Sequence, residues 1–159
     1  IHRDLKPANL FLFSGESKRL KVGDFGLSFD TQSDPMVAKS FGGTAQYMAP
    51  EAVTADGSAE SADKADMWAV GVILYELLTS VSPFEGGATI HQTLAAVVKG
   101  QYEPLPMSVP EALRALCGSL LNKDPAQRPS AAALLDDNAY VRDVLMPLYG
   151  KGLKELVEK

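Results

Sequence analysis

The sequence begins Ile1-His2-Arg3-Asp4-Leu5-Lys6-Pro7-Ala8-Asn9-Leu10-Phe11-Leu12-Phe13, and Asp24-Phe25-Gly26 stands fifteen residues past Asn9. Residues 10–13 and 20–22 are short apolar stretches separated by Ser14-Gly15-Glu16-Ser17. Such stretches around a small polar segment predict a β-hairpin, here with its turn near residues 15–17. With Glu16 as the fold point, Asn9 lies seven residues before it and Asp24 eight after. Antiparallel strands bring those two ends together. An amide oxygen and a carboxylate therefore converge on one point, with Asp4 a few residues away on the entering loop.

Beyond the hairpin, residues 29–44 are polar and without periodicity, which predicts a long loop; loops of that length in compact domains are usually functional or disordered. From Asp66 the run Met67-Trp68-Ala69-Val70-Gly71-Val72-Ile73-Leu74-Tyr75-Glu76-Leu77-Leu78 is apolar almost all round. It predicts a buried central helix that starts at Asp66. Residues 89–99 form a second helix closed by Gly100, and residues 110–121 a third, with Pro110 as its first helical residue and an apolar stripe at Leu113, Leu116 and Leu120. Ser130 caps a fourth helix over residues 131–136. Residues 140–159 add a helical tail interrupted by Pro147 and Gly150. The organisation is one mainly α domain over residues 1–137, with a small hairpin at its N-terminal end, and a C-terminal tail over residues 138–159.

The 159 residues are 46% apolar, enough for one domain with a real core. A net charge of -5 argues against nucleic acid as the main partner, because phosphate backbones call for clustered Lys and Arg. An acidic surface suits a basic peptide, although a charge of this size also serves plain solubility. The single cysteine, Cys117, lies at helical spacing among leucines and reads as a small core residue rather than a nucleophile. One cysteine cannot build a disulfide framework, and no targeting segment is legible, which makes cytoplasm the default compartment. No apolar run reaches the roughly 18 residues that span a bilayer. His91 reads as a surface residue.

The opening stretch fits the pattern H-R-D-L-x-x-x-N, and it is followed in order by Asp24-Phe25-Gly26 and Ala49-Pro50-Glu51, eleven fixed residues in all. At roughly one in twenty per fixed residue, chance does not produce this set. Over residues 1–137 the sequence resembles the eukaryotic protein kinase family, and the resemblance implies the C-terminal lobe of that fold. Lys6-Pro7, and Thr44 after Gly43, are similar to the serine/threonine branch. The stretches Lys99-Gly100-Gln101-Tyr102-Glu103-Pro104-Leu105-Pro106 and Asp124-Pro125-Ala126-Gln127-Arg128-Pro129-Ser130 resemble the kinases related to the never-in-mitosis A kinase. Ala45 departs from that group, which usually has Pro there, and residues 56–65 are longer and more polar.

The resemblance assigns roles residue by residue. Asp4 is the catalytic base, Asn9 and Asp24 hold Mg²⁺, Lys6 touches the γ-phosphate of ATP, and Thr44 hydrogen-bonds Asp4 and Lys6. Hard oxygen ligands of this kind suit Mg²⁺, which keeps waters and phosphate oxygens in its shell. Phosphoryl transfer needs that metal and a carboxylate to take the hydroxyl proton. Short polar residues at such places also cap turns, which is the plainer role for the same three side chains. Ser40 stands where an activating phosphate sits, with Arg3 as its partner, and Thr31 and Ser33 are further candidates. That phosphate implies an activating kinase or autophosphorylation. Glu51 and Arg128 form a buried ion pair, and Asp66 binds the catalytic-loop backbone. The implied partner is a protein substrate. No G-x-G-x-x-G and no strand lysine with its helix glutamate occurs in the sequence. Since these precede the catalytic loop in the family, and the first residue is Ile1 rather than Met, the expectation is a fragment that is inactive alone. Two alternatives stand beside an active kinase: a kinase-like scaffold, which degraded motifs would favour, and a small-molecule phosphotransferase, which Ala49-Pro50-Glu51 speaks against.

Overall fold

The computed structural model describes residues 1–13, 19–28, 44–54, 62–84 and 89–145. The expected hairpin turn and nearly all of the 29–44 loop lie outside the described residues. Strands β1 (Leu10–Phe13) and β2 (Arg19–Val22) pair antiparallel with Leu10 opposite Val22 and Phe13 opposite Arg19. A 3₁₀ turn at Pro7–Asn9 leads into β1, with proline's fixed φ at its first position. The ladder extends one step further, since the Gly23 amide donates to the Asn9 carbonyl at 2.9 Å. This register places Asp24 one residue beyond the partner of Asn9.

The helices are α1 (Pro50–Thr54), α2 (Ala62–Thr79), α3 (Ile90–Lys99), α4 (Glu111–Leu120) and α5 (Ala131–Asp137). The long helix α2 begins at Ala62, not at Asp66, so Asp66 sits on its second turn. The apolar run marked the buried part of the helix, and its first turn, carrying Asp63 and Lys64, is more polar than the rest. Thr89 is the N-cap of α3 and forms a capping box with Gln92, each side chain satisfying the other's backbone amide. Gly100 closes the helix at φ 63, a left-handed conformation that glycine adopts without steric cost. Pro110 is the N-cap of α4 rather than its first helical residue: its φ of -51 is compatible with either position, but its ψ of 138 is extended. Ser130 caps α5, its Oγ accepting from the Ala133 amide at 3.1 Å, and the helix runs one residue past the expected end.

The core centres on α2. Trp68 and Val72 are fully buried together with Phe84, Val97, Cys117 and Ala49, and a second group joins Met67, Leu116, Leu120 and Val141. Each large apolar side chain taken out of water contributes about 1.5–3 kcal/mol. Trp68 stacks on Phe84 with centroids 5.2 Å apart, and its Nε1 is the one buried side-chain N or O among the described residues without a hydrogen-bond partner. α4 lies close on α2 because position 71 is glycine: a Cβ there would come 2.8 Å from the Leu120 Cβ. Cys117 is a core residue, its Sγ 3.7 Å from the Gly71 carbonyl, and burial pushes its thiol up to about 11. His91 is exposed on α3. Past Asp137 the chain winds through a π-helical turn at Val141–Leu145, and Val141 packs into the core.

Candidate active site

The 1–9 segment is fastened to α2 through one carboxylate. Asp66 accepts the His2 amide at 2.7 Å on Oδ2 and the Arg3 amide at 2.8 Å on Oδ1. Arg3 adopts φ 72, a left-handed conformation that costs a non-glycine residue roughly 1–3 kcal/mol. The two charge-assisted hydrogen bonds hold that turn in place. His2 is buried, and both of its ring nitrogens are used. The Asp4 amide donates to Nδ1 at 3.3 Å, so Nε2 carries the proton and donates to the Gly23 carbonyl at 2.9 Å. The ring also lies 5.0 Å from that of Phe25. His2 thus joins the loop carrying Asp4 to the segment carrying Asp24. The sequence contained His2 only as a letter of the motif. Nothing local signals this role, because its partner is 21 residues away.

Asp4 is 9% exposed and closely held. Its Oδ2 accepts from Lys6 Nζ at 2.6 Å, and its Oδ1 accepts from the Thr44 amide at 3.0 Å and the Thr44 hydroxyl at 3.1 Å. Lys6 Nζ also donates to the Thr44 hydroxyl at 2.9 Å, so the three side chains close a triangle. Burial alone would raise the Asp4 carboxyl, but the hydrogen bonds from Lys6 and Thr44 and the lysine charge outweigh it and hold the group below its ordinary value. The Asn9 amide nitrogen donates to the Asp4 carbonyl at 2.8 Å and to its Oδ2 at 3.3 Å. With Nδ2 fixed there, the Asn9 Oδ1 is the oxygen left to meet a cation.

Asp24 is exposed, at φ 61, with the Gly26 amide 3.4 Å from its Oδ1. The strand register carries it to the same end of the hairpin as Asn9. These two hard oxygen donors fit Mg²⁺ in kind. Among the described residues no group of three His, Cys, Asp or Glu side chains could hold a metal by itself. A bound ion would therefore need oxygens supplied by its ligand and by water, which is the usual state of Mg²⁺ beside phosphates. Ser40, Thr31 and Ser33 lie outside the described residues, while Arg3 sits half-buried on the catalytic-loop turn.

The floor below Thr44 is braced twice. Tyr47, in the 3₁₀ turn Ala45–Tyr47, donates its hydroxyl to the Glu76 carboxylate of α2 at 3.0 Å. Glu51 on α1 is gripped by Arg128 in a bidentate pair, Nη1–Oε1 at 2.8 Å and Nη2–Oε2 at 3.1 Å. The Arg128 side chain is 0% exposed and that of Glu51 10%. Arg128 also donates to the carbonyls of Lys64 at 2.6 Å and Asn122 at 3.0 Å, and its guanidinium lies 5.1 Å from the centre of the Trp68 ring. No donor of this buried cation is wasted, which is what burial of a charge demands.

With this geometry in view, the family profile described as "Protein kinase domain" matches residues 1–140. The chain belongs to the protein kinase family. Among its relatives, the "Probable serine/threonine-protein kinase nek2" of Dictyostelium discoideum is 35% identical over 162 residues, covering 99% of this chain and 37% of the relative. The "G2-specific protein kinase nimA" of Emericella nidulans is 38% identical over 136 residues, covering 86% of this chain and 18% of the relative. The "Calcium and calcium/calmodulin-dependent serine/threonine-protein kinase" of Pisum sativum is 41% identical over 142 residues, or 86% and 26%. The chain is thus a serine/threonine kinase relative with the never-in-mitosis A resemblance, and it spans little more than a third of the first of these proteins. Among the described residues, the helical body with one small antiparallel hairpin is consistent with a kinase fragment. No helix among the described residues is long and apolar enough to cross a membrane.

Proposed function

We propose that these residues are the catalytic-loop half of a serine/threonine protein kinase that transfers the γ-phosphate of ATP to protein Ser or Thr hydroxyls. The observation that carries the reading is the Asp4 carboxylate held by Lys6, Thr44 and Asn9 at the end of the hairpin that presents Asp24. In this reading Asn9 and Asp24 hold Mg²⁺, which neutralises charge on the ATP phosphates. Asp4 stays ionised at neutral pH, accepts a hydrogen bond from the substrate hydroxyl, and takes its proton as the new oxygen–phosphorus bond forms and the bond to ADP breaks. Thr44 fixes the Asp4 carboxylate plane, and Lys6 places a positive charge beside the transferred group. The presence of Asp4, Asn9 and Asp24 together supports catalysis over a scaffold module, which degraded motifs would favour.

The test is Asp4→Asn in the full-length protein with ATP and a serine peptide. Phosphate transfer should fall by about two to four orders of magnitude, the usual worth of a general base. A loss of only a few-fold would remove Asp4 from the chemistry, and no transfer by the parent protein would favour the scaffold. Ser40 is read as the activating phosphosite, with the Arg3 guanidinium as the partner of its phosphate. Mass spectrometry of the active full-length protein should find Ser40 phosphorylated, and Ser40→Ala should lower activity. Unmodified Ser40 with full activity of that variant would sink the assignment. The polypeptide of residues 1–159 alone is read as inactive, because the sequence contains no G-x-G-x-x-G loop and no strand lysine paired with a helix glutamate to position ATP, and positioning dominates phosphoryl-transfer catalysis.

A further inference from the structure

Lys64 is the third residue of α2, and its place there breaks a local rule. The first turn of a helix carries positive charge from its unpaired amides, so a cation is unfavourable and an anion is preferred. What offsets that cost is 64 residues away in sequence. The Lys64 ammonium donates to the Arg128 carbonyl at 2.5 Å and reaches the Pro125 carbonyl at 3.5 Å. In return the Arg128 Nη1 donates to the Lys64 carbonyl at 2.6 Å. Each residue thus holds the backbone of the other with its own charge.

This reciprocity matters because of what Arg128 does with its remaining donors. The same Nη1 and its neighbour Nη2 form the two-point grip on Glu51. A two-point grip tolerates little rotation of the guanidinium plane. The plane is set by where the Arg128 backbone lies and by the carbonyls that receive Nε and Nη1. The Lys64 ammonium fixes the first, and the Lys64 carbonyl supplies part of the second. We infer that Lys64 is a positioning residue: it locks Arg128 in the orientation that grips Glu51 and so holds residues 44–54, which carry Thr44 to the catalytic carboxylate. The functional side of this rests on the kinase reading above, but the structural lock does not.

Hydrogen–deuterium exchange of the full-length protein separates the two, since it needs no activity. Lys64→Met keeps the length and apolar stem while deleting the charge. Amides of residues 47–54 should then exchange about tenfold faster or more, as expected from losing a hydrogen bond to a charged donor. Amides of α4 should keep their protection. Lys64→Arg, which restores a donor of similar reach, should recover most of the protection at 47–54. Unchanged exchange at 47–54 in Lys64→Met would overturn the proposal. So would faster exchange of all helices together, or outright unfolding, because either would mean that Lys64 supports the fold generally. Failure of Lys64→Arg to rescue would count against it too.

Discussion

Asp4 shows how one carboxyl can carry both fold and chemistry. Its folded-state pKa is depressed, so the proton is bound more weakly in the folded chain than in the unfolded one. Its stabilising contribution is therefore complete above the ordinary carboxyl value near pH 4 and is lost as pH falls through the lower folded value. Asp4→Asn should abolish that part of the pH dependence. Urea midpoints measured from about pH 5 down to 2.5 should slope less steeply for the variant. Parallel slopes would mean that the contacts to Lys6 and Thr44 leave the proton affinity unchanged. Cys117 has the opposite sign. Its pKa is raised to about 11, so it favours the folded state up to the free-thiol value and that contribution drains away between about pH 9 and 11. An alkylating reagent at pH 8 should leave Cys117 untouched until urea unfolds the chain. Rapid alkylation of the native protein would show that the thiol is not shut away. At this scale the sequence was informative where a motif named the residue, as with Asp4, Lys6, Asn9 and Asp24. It was silent on His2 as a bridge and on Lys64, because their partners are 21 and 64 residues distant and no local pattern encodes them.

Between elements, two contacts decide how the helices sit. The first is the approach of α4 to α2 at Gly71. Gly71→Ala would place a methyl group 2.8 Å from the Leu120 Cβ and 3.0 Å from the Leu121 Cδ2, on a helix face with no slack. Overpacking of this kind should destabilise by about 1–3 kcal/mol, partly offset by the better helix propensity of alanine. A variant as stable as the parent would show that α4 can shift outward freely. The second contact is the partly buried Glu51 on α1 with the fully buried Arg128 in the segment before α5. Removing either alone leaves a buried charge unpaired and should cost about 3–5 kcal/mol. The pair removed together should cost clearly less than the sum, and additive losses in a double-mutant cycle would mean the two do not interact. Helices α3 and α5 were legible almost to the residue, since Thr89, Gly100 and Ser130 are strong end signals. The start of α2 was not, because hydrophobic periodicity reports only the buried stretch. Pro110 was placed one position too far in for a related reason: proline fixes φ and leaves open the ψ that separates cap from first turn.

For the whole molecule, the apolar surface is unevenly distributed. Phe11, Leu12, Phe13, Leu20 and Phe25 are all about half exposed or more, on and beside a two-stranded ribbon. A hairpin of this size has little stability of its own. Leu12 and Phe25 are open, whereas Ile1 and Leu10 are half-buried against the rest of the chain. A polypeptide of residues 1–159 should therefore self-associate through this end, as exposed apolar patches do. Sedimentation at micromolar concentrations should show more than monomer, and Leu12→Lys with Phe13→Lys should reduce it. Calorimetry of the same polypeptide with ATP and Mg²⁺ should register no binding. A micromolar affinity would mean that Asn9, Asp24 and Lys6 supply most of the nucleotide site by themselves. The positions of α2 to α5 were readable from the apolar runs and end signals, whereas the short helix α1 was not predicted. Which apolar residues stay outside was less readable, since hairpin composition is the same whether a partner covers it or not.

Trp68 is the only tryptophan among the 159 residues, and it gives the molecule its own optical gauge. The ring is shut off from water, its N–H finds no acceptor among the described residues, and the Arg128 cation stands over its face. An indole so isolated emits toward the short-wavelength end of its range, and a cation drawn to its π cloud alters its brightness. Colour then reports whether solvent has entered the core, and intensity reports whether Arg128 is still in place. The two signals come from one side chain, so a loosened grip on Glu51 can be told from a melted fold by light alone.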